Sequence, residues 1–189
     1  NGTAVTYTNV YDTDGNLISV TSSNNKTRLY TYADGYLVRS KEANGAYTYY
    51  VYDVYGNVLV TAVLKSGYTG TAPDTYTYGN DIFNITVNIY DSTYYSELNE
   101  VIDTAEGTDE KYNRDTYGNT VSTVSTAKDG TVTTVTDTYD QFGKITGTTD
   151  GTNSSSKDYD DSGRMLQKRE NGETARYIYD SHGRLIQQI

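Results

Sequence analysis

The stretch Tyr177-Ile178-Tyr179-Asp180-Ser181-His182-Gly183-Arg184-Leu185 contains the pattern that decides the fold. At its centre is a Tyr-Asp pair, followed after two variable residues by glycine, a polar residue and an apolar residue. The aspartate can accept hydrogen bonds from backbone N–H groups two residues further on, and so it opens a turn. The glycine can take a positive φ without a Cβ clash. The stretch therefore predicts a β-hairpin whose loop combines a type I turn with a glycine bulge.

The same phrase recurs along the chain, and its spacing defines a repeat. Complete copies begin at Tyr11, Tyr52, Tyr139, Tyr159 and Tyr179, and shortened or altered copies begin at Tyr32 and Arg114. From Tyr11 to Tyr52 and from Tyr139 to Tyr179, successive copies start 20 or 21 residues apart. A second turn signal, such as Asn44-Gly45, falls about midway between copies. Each period therefore holds two strands and two turns, which predicts an antiparallel meander.

The tyrosine, aspartate and glycine of the copies are predicted to be structural residues. They are Tyr11, Asp12, Gly15, Tyr32, Asp34, Gly35, Tyr52, Asp53, Gly56, Asp115, Gly118, Tyr139, Asp140, Gly143, Tyr159, Asp160, Gly163, Tyr179, Asp180 and Gly183. Because side chains alternate between the two faces of a strand, equivalent tyrosines of successive repeats are expected to stack across the sheet. Such stacking would give cohesion without a thick apolar core. No catalytic, cofactor-binding or metal-binding residue is predicted, and ligand-binding residues are left open.

The composition agrees with strands and limits the classes of function. The 189 residues include 22 tyrosines and 31 threonines, both strand formers, whereas Leu, Ile, Val and Phe together make only 34. The absence of cysteine excludes disulfides and thiolate metal sites. The net charge of −10 argues against nucleic acid, because phosphate binding needs clustered lysine and arginine. No apolar run approaches the roughly 18 residues of a membrane span, so membrane insertion is not expected.

The phrase Tyr-x-Tyr-Asp-x-x-Gly-Arg-Leu resembles the RHS repeat, also called the YD repeat. The resemblance covers about residues 7–65 and 111–189. It implies an all-β fold in which repeated antiparallel β-hairpins form a curved or spiralling single-layer sheet, a β-solenoid-like strip that makes part of a shell. Known members are secreted bacterial polymorphic toxins, insecticidal toxin complexes, wall-associated proteins and animal teneurins. The resemblance therefore implies an extracellular protein, either secreted or attached to the cell surface.

One feature of the toxin members is missing. Their cores usually end in a proline-rich motif beside a self-cleaving aspartate pair, whereas the single proline of this chain is Pro73. The resemblance is therefore carried over for the scaffold alone, without the protease or the toxin. The chain is expected to be a piece of a longer protein.

The middle of the chain departs from the repeat. Residues 66–110 are predicted to hold diverged repeats with an acidic loop, within a single repeat array over residues 1–189. The run from Ile82 to Tyr90 alternates and predicts a strand. Residues 81–115 carry nine acidic residues against two basic ones. This segment is interpreted either as a solvated loop or as an insertion that binds a cation or a partner.

Three further groups invite a functional interpretation, and turn chemistry offers another explanation for each. The stretch Asp12-Thr13-Asp14-Gly15-Asn16 is similar to part of a calcium loop, but it has only two oxygen donors before its glycine and no nearby glutamate. Asp160 and Asp161 are adjacent carboxylates, yet neighbouring side chains point apart, which disfavours shared-proton catalysis. His182, the single histidine, occupies a variable turn position and is expected at the surface.

The sequence thus predicts a non-enzymatic structural module that forms part of a β-shell or stalk and encloses or presents another domain. Its expected partners are flanking YD repeats and other domains of the parent chain, including an enclosed toxin domain. The alternative is a cell-adhesion or carbohydrate-binding module that uses the Tyr-rich face to contact cell-surface glycans. No cofactor is expected in either case.

Overall fold

In the computed structural model, which describes residues 4–93 and 95–189, the chain consists of strands and turns, with no helix in this part. The first eight strands, β1 to β8, are Tyr7–Tyr11, Leu17–Ser22, Thr27–Ala33, Tyr36–Lys41, Tyr47–Tyr52, Val58–Leu64, Phe83–Tyr90 and Leu98–Asp103. The next eight, β9 to β16, are Thr108–Arg114, Thr120–Thr126, Val132–Tyr139, Ile145–Thr149, Ser154–Tyr159, Met165–Glu170, Glu173–Tyr179 and Leu185–Gln188. The strand order in the sheet follows the chain from β1 to β16. The prediction of an all-β fold built from antiparallel hairpins in one sheet is confirmed.

The chain divides into two compact units, one ending at Thr108 and one spanning Asp109–Ile189. The first unit contains β1 to β8, and the second contains β10 to β16 and nearly all of β9. Within each unit, neighbouring strands pair antiparallel in the order of the sequence, as in β5 with β6 and in β13 with β14. Both units are therefore meanders in which every hairpin is covered by its neighbours in sequence.

The first hairpin shows how the Tyr-Asp motif makes its turn. The Gly15 N–H donates to the Asp12 carbonyl over 3.2 Å, and the Asp12 N–H donates to the Asn16 carbonyl over 2.9 Å. Gly15 has a φ of 86°, and the register shifts between Val10 and Tyr11. This is the predicted type I turn with a glycine bulge. Equivalent backbone hydrogen bonds form at Asp53, Asp115, Asp140, Asp160 and Asp180.

The shortened copy that begins at Tyr32 uses a different turn. Asp34 and Gly35 both have positive φ, 50° and 81°, and Ala33 pairs directly with Tyr36. A two-residue loop with both φ values positive is a type I′ turn, which suits the twist of two antiparallel strands. The loss of one residue therefore changes the turn type, while β3 and β4 still pair as a hairpin.

A small core lies on one face of the first unit. Tyr49, Ala62 and Phe83, which are 1%, 0% and 3% exposed, are the buried hydrophobic residues of the described part of the chain. Residues 65–82, which connect β6 to β7, pack onto this cluster through Tyr76, whose ring meets Phe83 edge-on at 5.4 Å. The Tyr49 hydroxyl donates to the Pro73 carbonyl over 2.7 Å. A core of this size agrees with the low content of aliphatic residues.

The acidic residues of the middle segment lie differently from the expectation of one acidic loop. Strands β8 and β9 cover residues 98–103 and 108–114, and the long irregular connection is residues 65–82. Asp109 pairs with Lys111 over 2.9 Å, and Glu110 accepts a hydrogen bond from the Tyr112 hydroxyl over 2.6 Å. Strand pairing and these partners hold acidic side chains on the sheet. The strand predicted from Ile82 to Tyr90 is present as β7.

Candidate functional site

The motif aspartate organises its turn with both carboxylate oxygens. In the hairpin between β13 and β14, Asp160 Oδ1 accepts hydrogen bonds from the N–H groups of Ser162 and Arg164, each over 2.9 Å. Its Oδ2 accepts one from the Arg164 Nε over 2.6 Å. In other turns an asparagine takes the place of this arginine, as Asn57 does beside Asp53. The aspartate is therefore fully engaged within the loop that it opens.

These hydrogen bonds stabilise the charged form of the turn carboxylates. The side-chain hydrogen bond from the asparagine four residues further on is the largest cause that lowers the pKa of Asp12 and of Asp115. For Asp160 and Asp180 the largest cause of the lowered pKa is the backbone N–H of the arginine four residues further on. The turns are therefore held most firmly when their aspartates are ionised.

The motif tyrosine joins its hairpin to the preceding one. In four complete copies, the hydroxyl donates to the backbone carbonyl of the residue that lies two positions after the motif glycine of the preceding hairpin. The contacts are Tyr52 to Leu37 over 2.9 Å, Tyr139 to Thr120 over 2.8 Å, Tyr159 to Ile145 over 3.3 Å and Tyr179 to Met165 over 2.9 Å. The acceptor residue is itself the strand partner of the first residue of the preceding copy, as Met165 is of Tyr159 and Thr120 is of Arg114. The acceptor residue thus has two roles. It pairs with a strand of its own hairpin, and its carbonyl accepts the tyrosine hydroxyl of the next hairpin.

The ring of the motif tyrosine contacts a side chain of the preceding hairpin. That side chain belongs to the residue directly after the motif glycine of that hairpin. The Lys144 Nζ lies 4.9 Å from the centre of the Tyr159 ring and donates to the Gly163 carbonyl over 2.5 Å. The Arg164 guanidinium lies 5.2 Å from the centre of the Tyr179 ring. Cation–π contacts at exposed sites contribute about 0.5–1 kcal/mol each. The group that contacts the ring is a cation or, for Tyr52, the ring of Tyr36. These contacts take the place of the predicted stacking between equivalent tyrosines.

Tyr90 and Asp91, which are only a weak echo of the motif in the sequence, make the contacts of a motif copy. The Tyr90 hydroxyl donates to the Val58 carbonyl over 3.2 Å, the same acceptor position as in the other junctions. Asp91 accepts the N–H of Thr93 over 2.6 Å, and its own N–H donates to the Glu97 carbonyl. Extra residues separate Asp91 from the return strand, and no glycine stands in the loop. The sequence shows this copy only as a weak echo, because its loop differs in length and lacks the glycine.

The other candidates from the sequence are parts of turns. The Asp14 N–H donates to Asp12 Oδ1 over 3.0 Å, so the calcium-like stretch folds as the first hairpin loop. The carboxylate of Asp160 is engaged with Arg164, whereas Asp161 is exposed. The side chain of His182 is exposed, as expected. Within residues 4–93 and 95–189 no three His, Cys, Asp or Glu side chains are grouped to hold a metal ion, and no helix could cross a membrane.

The repeat and the fold are both similar to those of known proteins. The RHS Repeat family model matches residues 11–46 and 159–189, about a third of the chain. None of the curated proteins compared with the sequence is a significant match. Among solved structures, the chain is similar to TcdB2-TccC3-Cdc42 at 20% identity and to TcdB2-TccC3 without its hypervariable C-terminal region at 21% identity, both with a TM-score of 0.72. A third structure, TcdB2-TccC3-TEV, has 18% identity and a TM-score of 0.54.

The alignments with these structures cover nearly all of this chain but only a small part of the other protein. The two alignments with the higher TM-score cover 96% of this chain but 10% of the other, and the third covers 97% and 12%. The chain thus spans about a tenth of the length of these proteins, and at this level of identity the likeness shows the fold alone. The family match includes complete copies of the motif from both units. The chain therefore contains RHS, or YD, repeats at residues 11–46 and 159–189 and has a fold similar to that of these structures.

Proposed function

We propose that this chain is a non-enzymatic structural module of a secreted or cell-surface protein. Its RHS hairpins form part of a shell or stalk that encloses or presents another domain, and flanking repeats of the parent chain continue the sheet. A toxin domain is the enclosed partner that the family resemblance suggests. The TcdB2-TccC3 structures support the same choice by their fold. The array of residues 1–189 acts as one structural element in this proposal.

The repeated junction between hairpins is the observation that carries the proposal. The motif side chains with reactive groups, the tyrosine hydroxyl and the aspartate carboxylate, are both engaged in holding the sheet together. The Tyr179 hydroxyl bonds Met165, and Asp180 accepts the N–H groups of His182 and Arg184. Because the polar groups of the motif are hydrogen-bonded within the repeats, the motif suits a structural role better than a site that must bind and release a substrate.

The test is protease protection of the neighbouring domain in the full-length protein that contains this chain. Replacing Tyr139, Tyr159 and Tyr179 by Phe should loosen the second unit, and the neighbouring domain should then be cut at lower protease concentrations. Tyr117→Phe is the matched control, because its side chain is 89% exposed. If urea denaturation shows that the triple variant is loosened but protection of the domain is unchanged, the enclosing role is contradicted.

A groove in the second unit supports the carbohydrate-binding alternative. It has a volume of about 550 Å³ and lies between the turns at 140–143 and 160–163. Its lining includes Phe142, which is 74% exposed, together with Tyr159, Lys157 and Asp161. Aromatic rings beside charged groups can stack on and hydrogen-bond a sugar. A glycan array should give hits for the folded chain that Phe142→Ser removes, and an array without hits would eliminate this alternative.

A further inference from the structure

Two exposed tyrosine rings lie stacked across neighbouring loops of the first unit. Tyr55 stands in the turn between β5 and β6, and Tyr95 in the loop between β7 and β8. Their ring centroids are 4.3 Å apart and their planes are inclined by 21°. The residues are 58% and 49% exposed, so a reagent in solution can reach both. The two residues are 40 positions apart in the sequence, and neither is a motif tyrosine whose hydroxyl joins two hairpins.

A single asparagine holds the two loops together at this point. The Asn57 Nδ2 donates to the backbone carbonyl of Tyr95 over 2.5 Å and to Asp53 Oδ2 over 2.8 Å. The same amide therefore ties the turn that carries Tyr55 to the loop that carries Tyr95. The rings are placed against each other before any reagent arrives, which is the condition under which proximity accelerates a reaction.

We propose that Tyr55 and Tyr95 form an oxidative cross-linking site, at which a one-electron oxidant of the peroxidase–hydrogen peroxide class joins the two rings as dityrosine. Each phenol loses one electron and one proton to give a phenoxyl radical. The two radicals combine through ring carbons ortho to the oxygens, and both rings regain aromaticity by tautomerisation. Two hydrogen atoms leave the protein in total, and one hydrogen peroxide is reduced to two waters.

The other tyrosine pairs of the described chain are less suited to this reaction. Tyr36 and Tyr52 lie 4.8 Å apart with planes inclined by 32°, and the Tyr52 hydroxyl is bonded to a backbone carbonyl. Tyr47 and Tyr49 lie 6.4 Å apart, and Tyr49 is 1% exposed. The site at Tyr55 and Tyr95 combines the shortest separation with the greatest access.

The cross-link would add a covalent connection between two hairpins of the first unit. Strands β6 and β7 are joined by the long irregular segment 65–82, whereas the cross-link would join their hairpins at the opposite end of the strands. The chain has no cysteine, so a disulfide cannot do this. A covalent link that closes a long loop restricts the unfolded chain and raises resistance to unfolding. The inference does not depend on the shell proposed above, because it concerns two loops of one unit.

The experiment treats dilute protein with peroxidase and hydrogen peroxide and isolates the monomer by denaturing gel electrophoresis. Dityrosine fluorescence is measured in that band, and tandem mass spectrometry of its peptides maps the linked rings. We expect the main link in the monomer to join Tyr55 to Tyr95. In Tyr55→Phe the monomer fluorescence should fall about tenfold or more, since the other tyrosine pairs are farther apart and less accessible. Tyr117→Phe, at an exposed ring outside the pair, should leave it unchanged.

A positioning variant tests the role of the asparagine. In Asn57→Ala both tyrosines remain, and we expect a lower yield of this link while the β circular dichroism is retained. Links spread evenly over many tyrosines, a main link to Tyr94 instead of Tyr95, or equal monomer fluorescence in Tyr55→Phe would each overturn the site. If Asn57→Ala keeps the wild-type yield, the positioning role is overturned.

Discussion

Removal of a single hydroxyl at a hairpin junction should measure how firmly the repeats are joined. In Tyr139→Phe the ring stays in place, but the hydroxyl that donates to the Thr120 carbonyl over 2.8 Å is lost. Burial is the largest cause of the raised pKa of Tyr139, so this hydroxyl is partly withdrawn from water. The perturbation therefore isolates the hydrogen bond between hairpins from the packing of the ring.

The magnitude follows from the balance of hydrogen bonds. An intramolecular hydrogen bond contributes about 0.5–1.5 kcal/mol net, so we expect a loss of about 1 kcal/mol in the free energy of unfolding. Tyr117→Phe removes an exposed hydroxyl from the same unit and should change this free energy by less than about 0.5 kcal/mol. The five junction hydroxyls, at Tyr52, Tyr90, Tyr139, Tyr159 and Tyr179, would together contribute about 5 kcal/mol if additive. That sum is comparable with the total stability of many domains, about 5–15 kcal/mol.

Urea denaturation followed by β circular dichroism is the assay. With a denaturant dependence of about 2 kcal/mol per M, the Tyr139→Phe midpoint should fall by about 0.5 M without a change in slope. Hydrogen exchange should rise in the strands beside the lost contact, at β10 and β11. The reasoning is refuted if Tyr139→Phe and Tyr117→Phe have the same midpoint, or if the variant with all five hydroxyls removed remains as stable as the wild type.

Four other predictions concern the turns and the small core. Asp160→Ala should lower the urea midpoint more than Asp161→Ala, because the first carboxylate accepts three hydrogen bonds within its loop; equal effects would contradict the role given to the motif aspartate. Since the carboxyls of Asp12, Asp115, Asp160 and Asp180 have lowered pKa values in the folded chain, their stabilisation is complete above the unfolded pKa of about 3.9 and is lost as the pH falls through the lowered folded values, which an acid titration followed by circular dichroism will show. Gly56→Ala places a Cβ 3.0 Å from a tyrosine hydroxyl of the preceding hairpin at a φ of 87°, whereas Gly45→Ala has open space at a φ of 90°; both should lower the thermal midpoint, and Gly56→Ala should lower it more. Tyr76→Phe removes a buried hydroxyl without a hydrogen-bond partner and should stabilise the chain by about 1 kcal/mol or leave it unchanged, so a clear loss in urea would show that this hydroxyl is satisfied.

The sequence determined the hairpin and its turn, because these depend on residues close together in the chain. The aspartate at the start of the loop and the glycine at its end specify the backbone conformation locally, and the period of about 20 residues specifies two strands for each repeat. The same local chemistry explains the exposed position of His182 and the use of Asp12 and Asp14 in a turn. Strand β7 followed from simple alternation.

The role of the motif tyrosine becomes apparent only in the folded chain. Its hydroxyl reaches a backbone carbonyl of another hairpin, and backbone carbonyls leave no mark in the amino-acid sequence. The same contact shows that the weak echo at Tyr90 is a copy of the motif, although its loop lacks the glycine and the usual length. The packing of residues 65–82 on Tyr49 and the stacking of Tyr55 on Tyr95 likewise join residues far apart in the chain, and such contacts are fixed by the register of several strands and not by local propensity.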